Sequence, residues 1–149
     1  MAGIFFYAQT AAIATGTAIK TLLQIVAATN TRAKVREWSI SFNGTSNTAT
    51  PIPTEIVRQT SAGTMSALTL RKNNTLDTET LQTTAQHTAT VEPTDSSDVP
   101  FFEEIHPQTG YTWQAPFGGE YVVPGGTRLG LRTTSAASVS AVARLGCEE

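Results

Sequence analysis

Lys34 to Phe42, KVREWSISF, alternates more cleanly than any other part of the chain. Trp38, Ile40 and Phe42 fall on one side, and Glu37, Ser39 and Ser41 on the other. A period of two marks a strand with one face in a core and one in water. The run stops at Asn43-Gly44, a dipeptide that tolerates positive φ. Other stretches repeat the pattern. From Ile4 to Ala14, Phe6, Ala8, Thr10 and Ala12 oppose Phe5, Tyr7, Gln9 and Ala11, and the break at Thr15-Gly16-Thr17 favours an extended strand over an alanine-rich helix. Ile19, Thr21, Leu23 and Ile25 then oppose Lys20, Leu22, Gln24 and Val26.

Pro51 and Pro53 cannot both donate to a central ladder, so residues 45–53 read as loop or edge. Residues 54–72 read as two strands about Ser61-Ala62-Gly63, and 73–85 as a long surface loop. Alternation resumes with His87, Ala89 and Val91 and ends at Pro93. TDSSDVP is a polar connector, followed by the short runs FFEEIH, GYTWQA, EYVV, TRLGLRT and SVSAVARL. Nine or ten extended segments with turn signals between them, none with a helical period, predict an all-β, single-domain antiparallel β-sandwich. The domain spans 1–149 with an extended N-terminal arm over about 1–18. A jelly-roll-like wiring suits the strand count best, and an immunoglobulin-like sandwich is the alternative. Trp38, Phe42, Trp113, Leu129 and Leu131 are the expected core.

Composition agrees. About one residue in six is threonine, which suits a pleated surface, and 15% of residues are charged against a usual share of about a quarter. A net charge of −2 argues against a protein whose main work is gripping nucleic acid. No run has the ~18 apolar residues of a membrane span. The first eighteen residues have the small side chains of a cleaved signal but no basic start, and Gln9 and Thr10 interrupt them. The expectation is a mature strand in a chain used inside the cell.

Catalytic chemistry finds little purchase. His87 lies mid-strand and His106 precedes Pro107 at a strand end, the places of a surface or turn histidine. Cys147 is alone, so no intramolecular disulfide forms. Glu103-Glu104 reads as a solvated edge and Glu148-Glu149 as a charged tail, because neighbours in a strand face opposite ways. Asp95 and Asp98 fall short of the oxygens that calcium wants. GGEYVVPGGTRLG matches neither phosphate-binding glycine pattern. Pro124-Gly125 fits the central positions of a type II turn, and Gly118-Gly119 makes the preceding corner. No catalytic, cofactor-binding or metal-binding residue is assigned, and no cofactor is expected.

PIPTEIVRQTSAGT, ALTLRK, QHTATVEPT and the run from His106 to Glu149 resemble small structural proteins encoded in tailed-bacteriophage head gene clusters. In that family an RQT-AGT stretch and a W–P–VVPGG–LGLR stretch, closed by Glu-Glu, recur in this order. The resemblance spans roughly Trp38 to the end. Cys147 departs from it, standing where the pattern has a large aromatic. The resemblance implies a virion protein assembled in the bacterial cytoplasm: a capsid decoration (cement) protein, trimeric, with the major capsid protein and itself as partners. No membrane or specific nucleic acid enters that role. GIFFYAQ is expected as a contact arm, since Phe5, Phe6 and Tyr7 are more apolar than a free terminus should be. The alternative is a carbohydrate- or receptor-binding module of a virion fibre, with Tyr111, Trp113 and Tyr121 stacking on sugar.

Overall fold

In a computed structural model of the chain, residues 3–43 and 50–149 are described. Thirteen strands are found among them: β1 (Phe5–Gln9), β2 (Ile13–Ala14), β3 (Ile19–Val26), β4 (Ala33–Asn43), β5 (Ile52–Gln59), β6 (Thr64–Leu68) and β7 (Arg71–Lys72), then β8 (Thr84–Val91), β9 (Phe101–Ile105), β10 (Tyr111–Gln114), β11 (Tyr121–Val123), β12 (Arg128–Thr134) and β13 (Ser140–Glu148). Among the described residues no helix is long and apolar enough to cross a membrane.

Every pairing is antiparallel. One sheet runs β10-β4-β13-β1-β7, with β11 also on β4 and β2 on β13; the other runs β6-β8-β3-β12-β5-β9. The two pack face to face over one core of Phe6, Trp38, Ile40, Leu23, Ile25, Ile56, Leu129, Leu131 and Leu145. The protein is therefore an antiparallel β-sandwich. Sheets of seven and six strands exceed the roughly eight strands of a jelly roll, so the sandwich is established and a jelly-roll wiring is not.

Trp38, Ile40, Leu129 and Leu131 are buried as the alternation requires, while Phe42 and Trp113 pack against the core half-buried. Bulges move other residues off the simple period. Opposite Leu131 and Arg132, β3 carries Leu22 as an extra residue; Leu22 joins the core beside Leu23, and Thr21 turns to the far face. Between the Thr64–Val91 and Ser66–His87 pairings, three residues of β8 oppose one of β6; there Thr88 takes a φ of 56° and Val91 ends exposed. Pro53 lies inside β5, where only β9 pairs with it, since β12 joins from Thr54. The Asn43-Gly44 corner and residues 45–49 fall outside the described residues.

Three expectations are corrected. The segment expected as an arm is a sheet strand: β1 lies between β13 and β7, with Phe6 and Ala8 fully buried. Phe6 and Ala8 serve the chain's own core while Phe5 and Tyr7 lie on the sheet's outer face, and Ile4 and Glu149 exchange backbone hydrogen bonds just beyond it. Glu148-Glu149 is not merely a charged tail. Glu148 pairs with Arg36 at 2.9 Å, and the Glu149 carboxylate accepts the Gln82 and Thr83 amides at 2.8 and 2.6 Å. The glycine turns sit one residue away from the places expected. The Thr127 amide donates to the Pro124 carbonyl, so Gly125 and Gly126 are central and Gly126 has the positive φ, 78°. Gly125 lies against the Thr29 backbone, where a Cβ would meet the carbonyl oxygen at 2.3 Å. Likewise the Gly119 amide donates to Pro116, so Phe117 and Gly118 are central.

Candidate functional site

Two surfaces hold the side chains with most to offer a partner. The first is the edge where β9 of one sheet stands over β10 of the other. Trp38, Phe101 and Tyr111 pack there with ring centroids 5.0 to 5.6 Å apart. Arg58 ties the same edge together, donating to the Val122 carbonyl at 2.8 Å and pairing with Asp98 at 2.9 Å. Next along, Trp113 and Tyr121 stack at 4.5 Å, and burial, with Tyr111 adding, raises the Tyr121 phenol above its ordinary pKa. On this frame the Pro116–Gly119 turn lifts Phe117 fully into solvent, 103% exposed, while Phe102 on β9 is 55% exposed. Asp98 is linked to β11 through Arg58, and Phe101 packs against Tyr111. Glu103 and Glu104 are exposed and Glu120 half-buried, and none has an ion pair among the described residues.

The second surface is the outer face of β1, β13 and β4. Side chains of adjacent strands interleave there: Arg36 lies over the Phe5 ring at 5.1 Å and pairs with Glu148. Arg144 lies over the Tyr7 ring at 4.1 Å and pairs with Glu37 at 3.1 Å. Each guanidinium thus meets a carboxylate and an aromatic face together. Beyond Tyr7, towards β7, opens a cleft of about 470 Å³ lined by Tyr7, Gln9, Thr69, Arg71 and Arg144. Arg71 has no ion pair among the described residues, and the Arg144 Nε is buried without a hydrogen-bond partner.

The other candidates are held in structural contacts. His87 is half-buried, its Nδ1 2.8 Å from the Thr88 hydroxyl, and no carboxylate pairs with its ring among the described residues. The His106 carbonyl accepts the Thr109 and Gly110 amides, closing a turn. Cys147 is buried, and burial, with Glu37 adding, pushes its thiol far up. Asp95 and Asp98 do not converge: Asp98 holds Arg58, and Asp95 joins Glu55 on the largely buried Arg132. Burial opposes that guanidinium's charge, but its hydrogen bonds to Glu55 and Asp95 and their charges outweigh it, leaving its pKa raised. Beside it a buried relay runs from Gln24 to Gln59 at 2.7 Å, on to Thr21 at 3.1 Å and to Glu92 at 2.7 Å. Among the described residues no three His, Cys, Asp or Glu side chains gather to hold a metal ion.

Tyr111, Trp113 and Tyr121 do come together along one edge, but their rings pack on Trp38, Phe101 and each other. No family model matches the chain, and no curated protein or solved structure is significantly similar to it. Phe117 and the paired arginines gave no sequence signal of their own. Exposure of a turn residue, and cross-strand partners a hundred residues away, follow only from the register.

Proposed function

We propose that this protein decorates a phage capsid, binding the outside of the shell and bridging its subunits. The observation that carries this reading is the spread of exposed apolar side chains over separate parts of a small sandwich. Phe102 and Phe117 stand on one edge, Leu76 on the 73–83 loop, and Ile19 and Val91 beside a hollow of about 450 Å³. A binder of one small ligand needs one concave site. A bridging protein needs several contact patches, because linking two neighbours makes the second contact intramolecular and raises the cost of separating either. The low charge and the resemblance to head-cluster proteins support the same reading. Purified phage particles tested by mass spectrometry should contain this chain, and recombinant protein should co-sediment with stripped shells. Its absence from particles and failure to bind shells would overturn the proposal. The fibre-module reading asks for open aromatic faces, whereas Trp113 and Tyr121 each give one face to the other. A glycan array should therefore remain blank.

A further inference from the structure

Phe117 and the Arg71 cleft lie at opposite edges of one sheet. In the order β10-β4-β13-β1-β7, the β10–β11 connection carrying Phe117 flanks β4 at one edge, and Arg71 lies on β7 at the other. The first edge presents a bulky ring on a hydrogen-bonded turn, with Glu103, Glu104 and Glu120 free of ion pairs among the described residues. The second presents a cleft with a guanidinium, Arg71, that has no ion pair among the described residues. The two are complementary in sign and in relief. They are also complementary in chemistry, since the cleft already places a guanidinium over an aromatic face at 4.1 Å. An apolar anchor held rigid before contact loses little freedom on burial, which is what makes such a residue dominate an interface.

We propose that copies of this chain associate head to tail, the Phe117 edge of one seated against the Tyr7–Arg71–Arg144 cleft of the next. The inference rests on reading the protein as a building block, and it names the surfaces through which that block meets itself. Because the patches differ, the contact is heterologous: it closes into a ring if the rotation allows, and otherwise runs on as a chain. The carboxylates and guanidinia set the register and weaken with salt.

Sedimentation velocity across a range of concentrations tests this. The wild-type mass should rise with concentration at low salt and fall in high salt. Phe117→Ala should weaken association by about tenfold or more. Two charge reversals give the sharper test. Arg71→Glu alone, and Glu103→Lys with Glu104→Lys and Glu120→Lys alone, should each remain monomeric with circular dichroism spectra like the wild type. Mixing them should restore assembly, because each then offers the other a matching pair of surfaces. A wild-type chain monomeric at all concentrations, unaltered association after Phe117→Ala, or a mixture that stays monomeric would each overturn the proposal. Binding to stripped shells is measured separately, so the decoration reading and this contact can fail independently.

Discussion

Cys147 is a group whose chemistry is set wholly by where it sits. Buried between sheets and near Glu37, its thiol is pushed far up, so the native chain keeps the proton that an unfolded chain releases near pH 8.5. The native state then binds the proton more tightly, and the associated stability is complete below that pH and falls as pH rises above it. Over pH 8.5 to 10 the wild type should lose up to about 1.4 kcal/mol per pH unit more than Cys147→Ala, measured by urea unfolding. The folded thiol should also stay inert to Ellman's reagent until denaturant is added. Equal slopes for the two chains would show that the thiol titrates normally.

Among the elements, β1 decides how the N-terminal segment must be understood. Phe6 is fully buried in a strand paired on both sides, so Phe6→Ala should cost about 3–5 kcal/mol in urea unfolding. Removing residues 2–8 should abolish the dispersed amide spectrum, where a free arm would leave it unchanged. The 73–83 loop depends on the far end of the chain: Glu149→Gln weakens the acceptor of the Gln82 and Thr83 amides, and their hydrogen exchange should speed about tenfold. A long strand with one wet face, such as β4, was legible because alternation and burial coincide there. Two-residue strands such as β2 and β7 were not, since a period cannot be read in two positions. The bulges at Leu22 and in β8 broke the period without a local signal, and Gly125 shifted its turn because of Thr29, nearly a hundred residues earlier. Of the candidate surfaces, the edge aromatics Tyr111, Trp113 and Tyr121 were visible as a group. The exposure of Phe117 and the carboxylate partners of Arg36 and Arg144 were not, because each depends on tertiary register.

At the scale of the whole molecule, nearly all of the stabilising contacts join distant parts of the chain. Two crossing stretches, 60–63 and 92–95, close over the sheet that contains β3, β5 and β12. Ser61 accepts from both Gln24 and the Thr94 amide, and Gly63 lies against Val91 and Pro93. Beneath them the Gln24–Gln59–Thr21–Glu92 relay satisfies polar groups that would otherwise be costly to bury. The ends of the chain meet as well, with Phe5 opposite Glu148 and Gln9 opposite Arg144. Force applied between Gly3 and Glu149 would therefore act across an antiparallel pair, opening its bonds one after another instead of shearing them together. In a single-molecule pulling experiment this attachment should yield at much lower force than one through Gly16 and Glu149, which spans the length of β13. Load passed through this molecule is therefore best carried by its flanks and loops, leaving the seam between first and last strand out of the line of tension.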